Sequence, residues 1–387
     1  MSYHWRTITS LSQLTENEIE RCFSESDSPF NSLTFLSLLE QHGCVGGRSG
    51  WQPSHQLLLK DQQAVGLLIG YIKLHSYGEY VFDWSWADAY QRNGLQYYPK
   101  FLSAIPFTPV PTKKWLSNSS LSEQDALSMF LAEQPLGDIS GIHYNYPQKP
   151  IDFDCKQWIE RHGCQFHWFN KHVETGARYT DFDDFLGSLT ARKRKNIRKE
   201  RNKVSQHGIN CQWRTGSEVT EGELTAFYQF YQATYLKRGQ QGYLNLAFFR
   251  HLFQEMDANI RLLVCYKDVT PVAAALYFVD NHALYGRYWG CFDEYDVLHF
   301  EACYYQGIEY CIAHQIPCFN PGTQGEHKIP RGFEPVVTYS YHHLQLDPFQ
   351  DAVSRFCQEE KIHNSEYMQA CRERLPYKKV QNTSGTL

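Results

Sequence analysis

The sequence predicts a mixed α/β fold made of two similar halves. In the second half, residues 272–278 and 283–289 are strand-like and flank Asp280 and Asn281, a pattern typical of a hairpin. Residues 298–314 have apolar side chains at helical spacing, with Asp296 as the expected N-cap. A short strand at 317–319 then leads into a polar loop at 320–333, and loops at strand ends often carry the chemistry of α/β proteins.

The first half has the same order of elements. Helices are predicted within 11–42, a hairpin at 56–60 and 65–74, a strand at 80–84, a helix at 87–92 and extended chain at 105–110. Gly94 is a suitable residue for the end of that helix. The halves share a pattern and not their residues, which indicates a weak internal repeat and two α/β domains side by side.

Length and patterning suggest where these domains begin and end. A chain of 387 residues is long enough for two domains. Predicted helices at 123–133 and 154–162 each precede a short strand, at 141–146 and 165–170. We therefore expect an N-terminal domain at 1–160, a C-terminal domain at 161–345, and a final helix and tail at 346–387.

Composition excludes several classes of protein. The net charge of −5 argues against a general nucleic-acid-binding surface, and the 12 cysteines include no Cys-x-x-Cys pair. Free thiols in a reducing cytoplasm account for them. We see no signal peptide and no apolar run of about 20 residues, which predicts a cytoplasmic protein without a membrane span. The aromatic content of 15% either fills the core or partly lines a groove for an extended ligand.

Residues 188–203 carry eight cations and one acid, Glu200. If this segment is helical, its apolar side chains fall within an arc of roughly 80° around the axis, and the remaining helix surface is cationic. These side chains are Leu186, Leu189, Ile197 and Val204. Two interpretations remain open: a solvated helix face, or an electrostatic site for the phosphates of a nucleotide carrier or of RNA. The candidate phosphate-binding residues are Arg192, Lys193, Lys195 and Arg198.

His299-Phe-Glu301 is similar to one half of a zinc deaminase motif. The cysteine half is missing, and in a helix residues 299 and 301 point about 200° apart, so at most one faces a cleft. We therefore expect no metal site and keep His299 as a substrate-binding candidate.

The polar loop holds the candidate catalytic residues Glu326, His327 and Lys328. In an extended loop, Glu326 and Lys328 would share a face, so that a carboxylate takes a proton from an attacking amine while the cation stabilises an oxyanion or phosphate. Arg331 would add a bidentate anion-binding site. The alternative is a surface ion-pair loop.

Two further groups complete the candidate substrate-binding residues. Tyr285, Arg287 and Trp289 are expected on one face of a strand, either as a half-buried stack or as a groove wall. In the first half, polar groups concentrate among aromatics, either as turn residues or as one side of a cleft. These residues are Lys73, His75, Glu79, Asp83 and Lys100.

No dinucleotide-binding glycine motif, P-loop or Gly-x-Ser-x-Gly elbow is present. The chain does resemble, over nearly its whole length, the FemAB-like (peptidoglycan biosynthesis/recognition) family of the GNAT acyltransferase superfamily. The stretches that carry the resemblance are 28–30, 50–53, 73–84, 97–100, 106–109, 191–201, 284–290, 298–307, 325–328 and 331–333.

The resemblance implies two tandem GNAT-like domains, with mixed sheets flanked by helices and a cleft between them. The Fem-type relatives transfer an aminoacyl group from aminoacyl-tRNA to an amine of a peptidoglycan precursor. They have a basic helix like 191–203 and a Lys before a Gly-Phe, like Lys328 before Gly332-Phe333. This sequence lacks the long coiled-coil insertion of some relatives, and also the usual coenzyme A pyrophosphate loop, which leaves the donor open between acyl-CoA and aminoacyl-tRNA.

The sequence therefore supports two hypotheses of different classes. The first is an acyl- or aminoacyltransferase acting on an amine acceptor that is a small molecule or a cell-wall precursor, with tRNA as a further partner. The second is a non-catalytic module that recognises a phosphorylated precursor or RNA through the same cleft and basic helix.

Overall fold

A computed structural model describes residues 3–24, 27–323 and 325–378. The chain divides into two compact units, neither of which is continuous in sequence. Unit 1 comprises Met1–Cys164, Tyr243–His251 and Val337–Glu366, and unit 2 comprises Gln165–Gly242, Leu252–Val336 and Tyr367–Leu387.

Unit 1 contains most of the first half of the chain. Its elements are β1 (Tyr3–Ile8), α1 (Glu16–Phe23), α2 (Leu33–Gln41), β2 (Trp51–Pro53), β3 (His55–Lys60), β4 (Gln63–Leu68), β5 (Tyr71–Lys73), α3 (Trp84–Arg92), β6 (Lys100–Ser103), β7 (Trp115–Leu116), α4 (Glu123–Glu133) and β8 (Gly141–Asn145).

Unit 2 contains α5 (Phe182–Ser188), α6 (Ala191–Gln206), β10 (Ile209–Thr215), α7 (Glu221–Leu236), β11 (Ile260–Lys267), β12 (Thr270–Val279), β13 (Ala283–Cys291), α9 (Leu298–Phe300), α10 (Gln306–Ala313) and β14 (Cys318–Asn320). Boundaries between the units fall within four elements: β9 (Ile159–Phe169), α8 (Leu246–Glu255), β15 (Glu334–Leu344) and α11 (Asp347–Glu373).

The discontinuity of unit 1 follows from strand pairing. Residues 340–344 of β15 pair antiparallel with β8, which places this late strand in unit 1. The ranges predicted from the sequence, 1–160, 161–345 and 346–387, are each continuous and assign β15 to the second domain. Residues 379–387 of the predicted tail lie outside the described residues.

Two sheet segments build unit 1. One has the strand order β1-β3-β4-β7 with antiparallel pairs, and the other has the order β15-β8-β6-β5-β2, in which β6 and β8 are parallel. A cluster of buried apolar side chains, including Trp5, Phe101, Phe130, Ile142 and Trp158, packs between these elements. Burial of such side chains is the main stabilising contribution.

The sheet of unit 2 has the order β10-β11-β12-β13-β14-β9, and β13 and β14 are its parallel pair. The predicted hairpin is confirmed as β12 and β13, and the predicted strand at 317–319 as β14. The helix predicted at 298–314 is present, but a π-helical turn at Glu301–Tyr305 separates α9 from α10. Its N-cap is Val297 rather than Asp296.

A β-bulge in β13 overturns one prediction about side-chain direction. Leu276 pairs with Tyr288 and Tyr277 pairs with Gly286, which leaves Arg287 as the extra residue. Because a bulge shifts the alternation by one, Tyr285 and Trp289 lie on opposite faces of the sheet. The expectation that Tyr285, Arg287 and Trp289 share a face is therefore wrong.

Two local predictions in other parts of the chain are also wrong. The helix predicted at 154–162 is a turn followed by the start of β9 at Ile159, and the Asp154 side chain accepts a bond from the Lys156 amide in that turn. The strand predicted at 80–84 is irregular, since Tyr80 has a φ of 60° and α3 begins at Trp84.

The helices range in length from 3 residues in α9 to 27 residues in α11. In the described ranges 3–24, 27–323 and 325–378, no helix is both long enough and apolar enough to cross a bilayer.

Candidate functional site

The polar loop after β14 folds back on itself. Glu326–Arg331 forms a 3₁₀ helix rather than the extended loop predicted, so the alternation that would put Glu326 and Lys328 on one face is lost. Gly325 precedes this turn with a φ of 112°, and a Cβ there would lie 1.9 Å from the His327 ring. Only glycine fits this position without displacing His327.

Lys328 is the buried cation of this loop. Its side chain is 1% exposed, and Nζ donates to the Gly322 carbonyl at 2.6 Å. Burial, and then the Lys328 charge, lower the pKa of His167 to about 3. Burial raises the pKa of the Cys303 thiol, while the nearby Lys328 charge opposes that rise. Lys328 thus places a positive charge in a low-dielectric part of unit 2.

His327 and Glu326 take different directions. The Nε2 atom of His327 shares a 2.7 Å hydrogen bond with the Tyr304 hydroxyl, and burial together with Lys328 and Arg331 lowers the pKa of His327. Glu326 is exposed and accepts bonds from Arg374 at 3.0 Å and Tyr367 at 3.3 Å. The structure therefore brings His327 toward Tyr304 and places the Glu326 carboxylate in a surface ion pair.

Arg331 joins the loop to the basic helix α6. Its guanidinium bonds to Glu200 of α6 at 2.7 Å and to the Tyr305 hydroxyl at 2.8 Å, and it lies 3.6 Å from the Phe300 ring centroid. These contacts hold the polar loop and the basic helix side by side. They also engage the face of Arg331 that was expected to bind an anion.

Two adjoining cavities lie beside this loop. The larger, of about 300 Å³, is lined by Thr234, Lys237, Arg238, Trp289, Cys291, Glu294, Tyr295, Leu298 and His299. The smaller, of about 90 Å³, is lined by Ala275, Leu276, Tyr277, Gly286, Arg287, Tyr288, Trp289, His299, Cys303, Tyr304 and Pro321. Trp289 and His299 line both, so they lie at the boundary between the two. We call the two together the Trp289 cavity.

The walls of the Trp289 cavity have distinct chemistry at its two ends. Lys237 and Arg238 are exposed at the outer end, where Lys237 also contacts Glu294 at 3.3 Å. At the inner end, burial followed by the charges of His327, Lys328 and Arg331 lowers the pKa of His299 to about 4. His299 is therefore a neutral imidazole at pH 7, able to accept a hydrogen bond from a ligand amine.

The basic helix α6 carries a shallow groove of about 560 Å³ along one face. It is lined by Ala191, Arg194, Lys195, Arg198, Lys199, Asn202, Lys203 and Gln206. Ile197 and Val204 are buried on the other face, in agreement with a thin apolar stripe. Of the predicted phosphate-binding residues, Lys195 and Arg198 line the groove, whereas Arg192 and Lys193 do not.

Part of the helix charge is already compensated. Arg201 contacts Glu301 at 3.0 Å and Glu309 at 2.7 Å, Arg198 contacts Asp183 at 2.8 Å, and Lys203 pairs with Asp296. Lys195 and Lys199 are exposed and form no ion pair with any residue that the structure describes. They leave the groove with a net positive charge available to an anion.

The candidate residues of the first half form a buried ion cluster in unit 1. Lys100 Nζ contacts Glu79 at 2.8 Å and Asp83 at a shorter distance, and Lys73 lies 3.7 Å from the Trp51 ring centroid. Lys73 and Lys100 have no solvent exposure. Both ammonium groups are thus enclosed within unit 1. The sequence left open turn residues or one side of a cleft, and the substrate-binding role of these residues stays a prediction.

The remaining group of unit 1 is His75. Its Nε2 atom lies 3.0 Å from the Ser49 carbonyl, and burial followed by the Lys73 charge lowers its pKa. It is half-buried and packs against the loop that contains Gly50.

The ion cluster predicts a pH dependence of stability. Burial by itself would raise the pKa of Asp83, but the charge and hydrogen bond of Lys100, together with His143 and Ser76, outweigh it and lower this pKa to about 2. Because the folded pKa lies below the unfolded one, the stabilisation is complete above pH 4 and is lost as the pH falls toward 2. We expect an Asp83 contribution of about 2 kcal/mol to disappear over this window.

Urea denaturation of wild type and Asp83→Asn at several pH values tests this expectation. The gap in unfolding free energy should be largest at neutral pH and should shrink below pH 4. A gap that stays constant down to pH 2 would contradict it.

Several lining residues had no signal in the sequence. Thr234, Lys237 and Arg238 lie at the end of α7, about 50 residues before Trp289 along the chain. Cys303 and Tyr304 lie in the predicted helix 298–314, and nothing in the local sequence distinguishes them from its other residues. Only the pairing of β11, β12 and β13 with their flanking helices brings them together. Tertiary contacts of this kind cannot be seen in local periodicity.

Comparison with known proteins places the chain in a family. Residues 10–379 match the model of the FemAB-like family, described as peptidoglycan biosynthesis/recognition. A search of curated proteins finds no match.

Solved structures give the fold. The chain is similar to FemX at 10% identity with a TM-score of 0.50, covering 92% of this chain and 100% of FemX. It also matches L-PGS from Bacillus licheniformis at 10% identity and a TM-score of 0.47, covering 82% and 94%. A tandem GNAT protein from the clavulanic acid biosynthesis pathway matches at 7% identity and a TM-score of 0.41, covering 88% and 98%.

The predicted mixed α/β fold class is confirmed by the mixed sheets of the structure and by the likeness to FemX. The family match spans almost all of the sequence and includes the basic helix and the loop that holds Lys328. The chain therefore belongs to the FemAB-like family of peptidoglycan biosynthesis/recognition proteins.

Proposed function

We propose that the protein is an acyl- or aminoacyltransferase that acts on an amine acceptor, with a cell-wall precursor as the acceptor class. Membership of a peptidoglycan biosynthesis/recognition family supports this acceptor. The observation that carries the proposal is the neutral His299 in the Trp289 cavity, with the buried charge of Lys328 near enough to help lower its pKa. A fixed cation can stabilise the oxyanion of acyl transfer to an amine, and a neutral base can accept the proton of the amine.

The proposed reaction uses these groups in order. The acceptor amine enters the cavity as a free base and attacks the donor carbonyl, which forms a tetrahedral oxyanion. Lys328 stabilises that negative charge electrostatically from its buried position. The excess amine proton passes to His299 or His327, directly or through water, and the donor leaving group departs as the carbonyl re-forms.

Positioning supplies much of the acceleration in such a reaction. Holding two reactants in a near-attack geometry lowers the barrier by several kcal/mol, on the order of 7–11 in favourable cases. The outer cations Lys237 and Arg238 are suited to a carboxylate or phosphate of the acceptor, with the reacting amine then directed past Trp289.

Both proposed donors, acyl-CoA and aminoacyl-tRNA, carry phosphates. We assign their phosphates to the groove of α6, because Lys195 and Lys199 there are exposed and unpaired among the residues that the structure describes. Both donors are cytoplasmic molecules, and we place the reaction in that compartment.

The proposal is tested by product mass. Purified protein is incubated with a lysine-containing peptidoglycan precursor and either acetyl-CoA or a pool of charged tRNA, and the precursor is analysed by mass spectrometry. A gain equal to an acyl or aminoacyl group from one donor supports the transferase. Tight binding of the precursor without a mass gain from either donor would refute it.

A non-catalytic recognition module is the second candidate. Its support is the position of Glu326, whose carboxylate pairs with Arg374 at the surface and not with Lys328. A module would need the groove and the Trp289 cavity but no proton acceptor. The mass measurement separates the two, since the module binds the precursor and leaves it unchanged.

The groove gives a further prediction about salt. Replacing Lys195 and Lys199 by Gln should weaken binding of tRNA and reduce the steepness with which affinity falls between 50 and 200 mM salt, by about one unit of the log–log slope per cation removed. Electrophoretic mobility or fluorescence anisotropy of labelled tRNA measures this slope.

A matched control uses exposed cations outside the basic helix. Lys149 and Lys156 of unit 1 are exposed, and the Lys149→Gln/Lys156→Gln variant has the same change in net charge. If both double variants lose tRNA affinity equally, the effect is one of total charge and the groove has no specific part in binding.

A further inference from the structure

A pair of cysteines lies on the sheet of unit 2. Cys211 of β10 and Cys265 of β11 are directly opposite each other in the antiparallel register. Their sulfur atoms are 3.3 Å apart, and both are free thiols. The two residues are 54 positions apart along the chain, so their proximity depends on the folded sheet.

The strand geometry permits a covalent bond. Directly opposed residues in an antiparallel pair have Cα atoms about 4.5–5.5 Å apart, which lies within the usual range of about 4.4–6.8 Å for disulfides. The sulfur atoms then need to approach by roughly 1.3 Å to reach the bond length of about 2.0 Å. Side-chain rotation supplies much of this movement.

One thiol of the pair is reachable from solvent. Cys211 is partly exposed, whereas Cys265 is fully buried. An oxidant can therefore meet Cys211 first, with Cys265 held next to it as a resolving thiol. Buried cysteines without such a neighbour, for example Cys22 and Cys357, lack this arrangement among the contacts that the structure describes.

From this geometry we infer that Cys211 and Cys265 form a reversible cross-strand disulfide when the protein meets a hydroperoxide. The Cys211 thiolate attacks the peroxide oxygen, giving a sulfenic acid and water. The Cys265 thiol then displaces hydroxide from that sulfur, which forms the S–S bond and a second water. In total, two thiols are oxidised to a disulfide and hydrogen peroxide is reduced to two waters.

The bond would act on the edge of the unit 2 sheet. β10 is the last strand in the order β10-β11-β12-β13-β14-β9, and it follows α6 after only His207 and Gly208. A covalent link to β11 would hold this edge strand, and with it the end of the basic helix, against local opening. The inference is independent of the proposed transferase activity.

Peptide mapping tests the disulfide directly. Native protein carrying Cys155→Ser, which removes the exposed thiol, is treated with hydrogen peroxide, alkylated and digested without reduction. We expect a linked peptide that contains Cys211 and Cys265, two fewer titratable thiols, and full recovery of both with dithiothreitol. Hydrogen exchange at the β10 amides should slow in the oxidised form.

Two variants complete the test. Cys211→Ser, at the partly exposed position, should lose the linked peptide and the change in exchange while keeping its native circular dichroism. Cys22→Ser changes a buried thiol of unit 1 and should leave the linked peptide in place. Linkage of Cys265 to Cys303 or Cys291, or oxidation of Cys211 only to sulfinic acid, would overturn the inference.

Discussion

Replacing Lys328 by methionine should lower turnover about 100- to 1,000-fold, because removal of one electrostatic stabiliser of an oxyanion typically has this effect. Methionine keeps an unbranched side chain of similar length in a position that is 1% exposed, so packing is largely retained. Substrate affinity should change less than turnover, since the cation acts on charge that develops during the reaction. Steady-state rates with the acceptor and donor identified by mass spectrometry measure the effect.

The change also leaves the Gly322 carbonyl without its donor, and this loss needs a matched control. Lys114 of unit 1 is also 1% exposed and donates to the Thr112 carbonyl at 2.6 Å. Lys114→Met therefore removes a buried lysine that bonds to a backbone carbonyl, outside the proposed site. Lys328→Met with undiminished turnover, or an equal loss in Lys114→Met, would count against the role of Lys328.

Replacing Lys100 by methionine should destabilise the protein by about 3–5 kcal/mol, the usual cost of removing one member of a buried ion pair. Lys100 is fully buried and contacts both Glu79 and Asp83, so the variant leaves two carboxylates without their main partner. Burial already raises the pKa of Glu79 to about 7 with Lys100 present. The free energy of unfolding from urea titration at pH 7 measures this cost.

A compensated variant separates charge from packing in the same cluster. Adding Glu79→Gln and Asp83→Asn to Lys100→Met removes the uncompensated carboxylates and should recover more than half of the lost stability. If the triple variant is no more stable than Lys100→Met, the loss reflects packing of the lysine stem. The matched change Lys113→Met, in a largely exposed ion pair with Asp27, should cost under 1 kcal/mol.

Local periodicity was sufficient for the central elements of unit 2. The strands β12 and β13, the helical segment after them and the basic helix α6 were all visible as alternation or as spacing of three and four residues. The resemblance to a known family then pointed to the loop with Lys328. Both signals depend on residues that are close in sequence.

Other features depend on contacts that sequence patterns do not contain. The bulge at Arg287 changes the face of every later side chain in β13, and the 3₁₀ turn at Glu326 replaces an extended loop. Neither feature is marked by a distinctive residue composition. For this reason, the predicted face of Trp289 was wrong and the partner of Glu326 was missed.

The burial of charged side chains in unit 1 was also not predictable from sequence patterns. Lys73, Glu79, Asp83 and Lys100 were correctly grouped from their spacing among aromatics, but their complete burial was not predicted, because charged side chains are seldom fully buried. The β5 and β6 strands pair directly, with Lys73 opposite Lys100, and this register encloses both ammonium groups. Knowledge of that pairing would have been needed to infer a structural cluster.

The π-helical turn at Glu301–Tyr305 determines which residues meet in the Trp289 cavity. In a regular α-helix, His299 and Tyr304 would be separated by about 140° around the axis, since each residue adds roughly 100°. Bonding from i to i+5 brings residues five apart nearly into line, and their rings are 5.4 Å apart. The additional residue in this turn thus sets the angle around the helix axis at which the His299 imidazole and the Tyr304 phenol meet. Deleting it would rotate Tyr304 away from His299 and His327.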